Sequence, residues 1–313
     1  MPEPKGINRI NDYAFKRILG SEEGKEALLG FLNAVLGPPP GKELASIELA
    51  DRDIDPEYLI DRGARLDILA GTADGTLINI EVQVANEYNL DQRVLYYWGR
   101  IYCGQLTSGD PFRKLKKTIS ILLLAFNWFK DHRPHRSLHL KDDETGEIFT
   151  DLLEIHILEI EKIKGLGRRP KDPLEAWLIY FSNLEGKEME AIAVENPAIR
   201  KALTVEEMFW RSKRERRIYE LQEKALREKL SALAEARAEG EARGEARGEA
   251  RAKQDAICRF LEKRFRIDTS GLQQEVRKIT DLQALDKTLE ELFIANTLGE
   301  AQIIVNNHLK TNK

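Results

Sequence analysis

The amino-acid sequence predicts an α/β domain, followed by a charged helical arm and a small all-α module. Residues 78–84 alternate between apolar and polar side chains, and residues 119–126 form a short apolar run, so both segments are typical of β-strands. Segments with helical periodicity precede and separate these strands, an order that indicates an α/β sandwich. A four-residue repeat of Glu, Ala, Arg and Gly over residues 235–251 indicates a charged helical segment after that domain.

Composition limits the class of protein. The chain has 313 residues, of which 33% are charged, yet its net charge is only −4, so any surface that binds nucleic acid must be local. Cys103 and Cys258 lie far apart and are typical of reduced, packed thiols. The N-terminus has no apolar signal region and the longest apolar run is too short to span a bilayer. We therefore expect a cytoplasmic protein without membrane contact.

The first element is a predicted helix over residues 11–36. Either Asn11 or Asp12 can cap its N-terminus, and apolar residues at helical spacing continue past Gly24. The segment 37–41, Gly-Pro-Pro-Pro-Gly, ends the helix. A short strand is then expected at residues 47–50.

The next element is a hairpin whose turn contains Asp74-Gly75, a strong hairpin signal. A two-residue loop would consist of Asp74 and Gly75 alone. A three-residue loop over 73–75 would pair Thr72 with Thr76, with Gly75 in the left-handed conformation that ends such loops.

Loop length decides whether two acidic residues meet. The two-residue loop sets Asp67 opposite Val82, which would continue a polar face into an apolar one. The three-residue loop sets Asp67 opposite Glu81, with Cβ atoms about 5 Å apart. We therefore favour the three-residue loop.

The remaining elements alternate in type. Residues 89–107 predict a long helix, 118–126 a buried strand, 155–160 another strand and 173–184 a helix. We place the α/β domain at 8–200. The charged arm spans 204–254, and a helical module of two or three helices follows at 255–313.

The arm carries like charges four residues apart, because Glu241, Glu245 and Glu249 form one stripe and arginines form another on nearly the opposite side. Such spacing is mildly unfavourable, and each glycine costs roughly 1 kcal/mol relative to alanine. The arm is therefore either a flexible linker or a helix that pairs with a second copy.

Two groups of side chains are candidates for a metal site. Asp67 and Glu81, if opposed, would repel each other unless one is protonated or a cation lies between them, and Mg²⁺ accepts one or two carboxylates. The alternative is a pair of acids on a solvated face. His132, His135 and His139 lie in a charged segment that is predicted to be a loop, and form either a zinc cluster or, as we favour, a structural group.

Several motifs in order resemble one family, the Rpn group of recombination-promoting nucleases, also called PD-(D/E)XK nuclease family transposases. The resemblance covers roughly residues 8–185 and includes Asn11–Leu19, Phe31–Leu36, Leu66–Ala70 with Ile80–Gln83, Arg93–Trp98 and Gln105–Gly109. The segments Ile257–Phe265 and Leu289–Phe293 resemble a small bacterial domain of unknown function that often follows this nuclease.

The resemblance implies a restriction-endonuclease-like core and Mg²⁺-dependent cleavage of DNA. Asp67 and Glu81 take the places of the motif acids, and Gln83 stands where the broader superfamily has lysine. Glutamine is common there in the Rpn group, and a neutral amide orients water and phosphate by hydrogen bonds alone. Asp12 is either a third metal ligand or a helix cap.

DNA is the expected partner, and cations near the hairpin would bind its phosphates. We expect Arg65, Arg93 and Lys16 to do so; the further candidates are Arg100, residues 113–117 and Gln92, and each of the charged candidates is alternatively a plain surface charge. A homo-oligomer through the charged arm is also expected. The alternative to an endonuclease is a non-catalytic DNA-binding or oligomeric assembly protein with a degraded nuclease site.

Overall fold

The computed structural model describes residues 6–50, 66–86 and 89–310, within two compact units that comprise residues 1–227 and 228–313. The first unit contains helices α1 (Asp12–Ile18), α2 (Lys25–Leu36), α3 (Leu90–Cys103), α4 (Pro173–Phe181), α5 (Lys187–Glu195) and α6 (Pro197–Arg211). Helix α7 (Lys213–Phe265) begins in the first unit and ends in the second, where α8 (Ser270–Val276), α9 (Leu282–Ile294) and α10 (Leu298–Lys310) follow. Within these described ranges no helix is both long and apolar enough to cross a bilayer.

One mixed sheet forms the centre of the first unit. Its described strands are β1 (Ile47–Leu49), β2 (Ile68–Thr72), β3 (Leu77–Gln83), β4 (Thr118–Leu124), β5 (His135–Lys141) and β6 (Ile148–Glu159), in the spatial order β1-β2-β3-β4-β6-β5. Strands β3, β4 and β6 are parallel, whereas β1, β2 and β5 pair antiparallel with their neighbours. The crossover between β3 and β4 contains α3, as parallel pairing requires.

Both faces of the sheet are covered by helices. Every residue of β4 is buried, and its alternate side chains enter two different cores. Ile121 lies in the large core with the aromatic residues of α1, α2 and α4, whereas Leu122 lies in a smaller core with Leu90 and Val94 of α3. The predicted α/β architecture, a mixed central sheet flanked by helices, is confirmed.

The prediction of one helix over residues 11–36 is wrong, because the helix is interrupted between Ile18 and Lys25. A 3₁₀ turn at Glu22–Gly24 separates α1 from α2, and the Ser21 hydroxyl accepts a hydrogen bond from the Gly24 N–H. A Cβ atom on Gly24 would lie 1.9 Å from the carbonyl oxygen of Ile18, so only glycine fits this close approach.

The segment around His135 and His139 is an edge strand, β5, and not the predicted charged loop. It pairs antiparallel with β6, with an irregular register at His139 and Leu140. All seven of its residues are exposed or half-buried, so the alternation of apolar and polar residues that marks a half-buried strand is weak here.

The charged repeat lies in the middle of α7, which is helical without interruption. Residues 231–249 are all exposed. The second unit has its own apolar core, to which Ile257, Leu285 and Val305 contribute. Helix α10 belongs to this unit, because its Ala301 and Val305 lie in the same core.

Candidate functional site

The β2–β3 hairpin has the three-residue loop. Ile68 pairs with Ile80 and Gly71 with Leu77, and the Thr72 N–H donates to the Thr76 carbonyl oxygen at 3.0 Å. Gly75 has a φ of +89°, the left-handed conformation that glycine adopts without strain. Continuing this register by one pair sets Asp67, the residue before β2, opposite Glu81.

The Asp67 carboxylate is held from two sides. Its Oδ2 accepts a hydrogen bond from the Val82 N–H of β3 at 3.0 Å, and its Oδ1 lies 2.9 Å from the Lys16 Nζ of α1. The same Nζ lies 2.6 Å from Asp12 Oδ1. Burial raises the pKa of Asp67, while the Lys16 ammonium and the Val82 N–H lower it. The side chain of Asp67 is 16% exposed, so this carboxylate is solvated only in part.

Glu81 is the more deeply buried acid, with 8% of its surface exposed. The Asn79 side-chain N–H donates to Glu81 Oε1 at 3.1 Å. Burial raises the pKa of Glu81 to about 7; the neighbouring Asp67 also raises it, whereas Asn79, Arg93 and Lys16 lower it. Because desolvation disfavours the bare negative charge, the Glu81 carboxylate is stabilised when it binds a proton or a cation.

Gln83 contacts the helix behind the hairpin. Arg93 of α3 donates from Nη1 to Gln83 Oε1 at 3.3 Å, and its guanidinium lies 6.0 Å from the centre of the Tyr97 ring. Because α3 packs on the face of the sheet that carries Glu81 and Gln83, Arg93 is brought to the site as expected. The structure shows where Asp67, Glu81, Gln83 and Arg93 lie. Their roles in binding and catalysis stay predictions.

The other predicted cations differ in their surroundings. Arg65 lies outside the described residues. In the 113–117 cluster, Lys114 pairs with Asp110 and Lys117 pairs with Glu154. Gln92 is exposed, whereas Arg100 is half-buried. Contact of any of these residues with DNA remains a prediction.

Asp12 is the first residue of α1 and is not its cap. Asn11 caps the helix, because its side chain accepts hydrogen bonds from the N–H groups of Tyr13 and Ala14. Asp12 is 55% exposed at its side chain and reaches Asp67 through Lys16. Its role as a third metal ligand stays a prediction.

One of the three predicted histidines, His135, belongs to a chain of hydrogen bonds between β5 and β6. His135 Nε2 lies 2.8 Å from His156 Nδ1, and His156 Nε2 lies 2.7 Å from Glu154 Oε1. His139 is 3.8 Å from Glu154 Oε2, and His132 is exposed. Burial, together with His156, lowers the pKa of His135 to about 4, so at neutral pH the His135 ring is uncharged. The three predicted histidines therefore have different surroundings and do not form one cluster.

The oxygen atoms at the hairpin suit a hard divalent cation. Asp67 and Glu81 are opposed and desolvated, and one or two carboxylates with several waters are enough to hold Mg²⁺. Among the residues that the structure describes, no group of three or more histidine, cysteine, aspartate or glutamate side chains has the arrangement of a metal site.

Sequence reasoning missed two contacts at this site. Asn79 supports Glu81, and the signal for it was present, since Asn79 lies two residues before Glu81 on the same face of β3. The ion pair of Lys16 with Asp67 joins two residues far apart in the sequence, and no local pattern indicates it.

A family model described as PD-(D/E)XK nuclease family transposase matches residues 9–236. The match covers nearly three quarters of the chain and includes the described parts of the hairpin, α1 and α3. No curated protein and no solved structure shows a significant match to the chain. The mixed sheet flanked by helices fits the restriction-endonuclease-like fold that this description implies.

Proposed function

The chain belongs to the PD-(D/E)XK nuclease family transposases, and from that premise we propose that it is a metal-dependent endonuclease that hydrolyses DNA. The observation that supports this best is the opposition of Asp67 and Glu81 across the hairpin. Burial desolvates both carboxyls and raises the pKa of each. A desolvated acid pair is a strong site for a divalent cation.

In this proposal the carboxylates of Asp67 and Glu81 would hold Mg²⁺. When bound, the ion would supply Lewis acidity toward a phosphoryl oxygen and toward an attacking water molecule. Asn79 orients the Glu81 carboxylate, and the Val82 N–H orients that of Asp67. Gln83 orients water or a phosphate oxygen by hydrogen bonds, because its neutral amide cannot supply a positive charge.

Cations beside the acid pair would bind the phosphates of DNA. Arg93 lies beside Gln83 and is the described cation best placed for a phosphate. Arg65, two residues before Asp67 in the sequence, is a further candidate. Because such contacts release counterions, DNA affinity should fall steeply as salt increases.

The direct test is cleavage of supercoiled plasmid by the full chain. We expect nicked and linear products with Mg²⁺ and none with EDTA. The variant Asp67→Asn should lose cleavage, whereas Glu190→Gln, at an exposed position of α5, should retain it. Salt-sensitive DNA binding without cleavage by the wild-type protein would favour a non-catalytic role.

A second function, assembly of several copies, has one observation in its favour. Within the described part of α7, Glu245, Arg247 and Arg251 are exposed and have no ion-pair partner, because the repeat sets like charges four residues apart. Pairing of two arms would let acidic and basic stripes meet. Substituting glutamate for Arg243, Arg247 and Arg251 should then lower the particle mass measured by light scattering; an unchanged oligomeric mass would exclude the arm as the interface.

A further inference from the structure

Lys16 lies between two carboxylates that come from different elements. Its ammonium is 2.6 Å from Asp12 Oδ1 and 2.9 Å from Asp67 Oδ1. Its side chain is only 21% exposed, and α1 is fixed in place by the buried side chains of Phe15 and Ile18. The position of this ammonium is therefore set by the fold and is not that of a mobile surface lysine.

The contact puts a positive charge close to any divalent cation that binds Asp67. Asp67 Oδ2 accepts the Val82 N–H, and the Lys16 ammonium lies 2.9 Å from Oδ1. Each carboxylate oxygen keeps a further lone pair, but a cation on either one would lie near the ammonium. Two positive charges this close repel each other, so displacement of the ammonium is favoured.

We propose that Lys16 is a built-in competitor of the divalent cation, which neutralises Asp67 while the site is empty and moves aside, toward Asp12, when the ion binds. Asp12 suits this role, because it is four residues before Lys16 on the same helix and keeps its contact if the lysine leaves Asp67. The inference rests on the proposed function and assigns Lys16 a positioning role at the acid pair, in place of a direct contact with DNA.

The test is the affinity of the full chain for Mn²⁺, used as a probe in place of Mg²⁺, measured without DNA by calorimetry or by the electron paramagnetic resonance of unbound Mn²⁺. Lys16→Met and Lys16→Gln should each bind Mn²⁺ at least about tenfold more tightly, because each removes a unit positive charge that lies 2.9 Å from Asp67 Oδ1. Adding Asp67→Asn to Lys16→Met should abolish the gain. Circular dichroism identifies which variant remains folded.

Lys25→Met is the matched control. Lys25 also bridges two carboxylates, those of Glu22 at 3.2 Å and Glu48 at 2.9 Å, and its side chain is 25% exposed. Its removal should leave Mn²⁺ affinity unchanged. Equal or weaker Mn²⁺ binding by the folded Lys16 variants would overturn the competitor role alone. Absence of Mn²⁺ binding in every variant would overturn it together with the proposed metal-dependent function.

Discussion

Asp67 lies opposite Glu81 because Thr72 pairs with Thr76 around the loop formed by residues 73–75. Side chains alternate along a strand, so a shift of this register by one residue would turn Asp67 away from Glu81. The ladder, the Thr72–Thr76 hydrogen bond and the positive φ of Gly75 all agree on this geometry. The register of the hairpin is therefore a structural determinant of the acid pair.

Gly75→Val should disturb the acid pair without removing an acid. Gly75 has a φ of +89°, which a β-branched residue adopts only under strain, and a Cβ atom there would lie 3.1 Å from Lys116 Cγ. We expect a loss of about 1–3 kcal/mol in the free energy of unfolding and slower cleavage. Ala73→Ser, at the exposed neighbouring position, should retain wild-type stability and cleavage. Unchanged stability and cleavage in Gly75→Val would show that the turn does not hold the two strands in register.

Glu81→Gln should stabilise the protein at high pH when no divalent cation is present. The pKa of Glu81 is raised to about 7 by burial, so the native state holds a proton that the unfolded chain releases near pH 4.5. Stability from this group is thus complete below about pH 4.5 and is lost as pH rises to about 7, a loss on the order of 3 kcal/mol at most.

Urea unfolding at pH 5 and pH 8 in EDTA measures this effect. Glu81→Gln should gain stability relative to wild type at pH 8 and much less at pH 5. The exposed control Glu190→Gln should change stability similarly at both values. An equal change for Glu81→Gln at the two pH values would show that Glu81 is not desolvated.

Gln83→Lys should not improve the site. Arg93 donates to the oxygen of Gln83, and a lysine at that position offers no acceptor and adds a like charge beside Arg93. We expect a loss of about 1 kcal/mol in thermal unfolding experiments. Adding Arg93→Gln to this variant should restore part of the stability, because an acceptor then faces the lysine. A more stable Gln83→Lys single variant would contradict the contact.

Most of the architecture could be predicted from local sequence patterns. The alternation in β3, the apolar run of β4 and the Asp74-Gly75 turn depend on neighbouring residues, so the sequence alone specified the hairpin and its register. The break at Gly24 was missed, because it depends on the approach of a distant backbone carbonyl to a missing Cβ atom.

The rest of the site depends on contacts between distant segments. The ion pair between Lys16 and Asp67, and the depth at which Glu81 is buried, follow from how α1 and α3 pack on the sheet. Strand β5 was missed for a different reason: its residues lie at an exposed edge, so burial imposes no clear alternation on them.

The most direct test of the account is a double-mutant cycle on the acid pair. Single-turnover cleavage of a duplex DNA with Mg²⁺ would be measured for wild type, Asp67→Asn, Glu81→Gln and the double variant. If both acids hold one ion, the double variant should cleave no more slowly than the slower single variant. Losses that multiply in the double variant, or near wild-type cleavage in either single variant, would contradict a shared metal site.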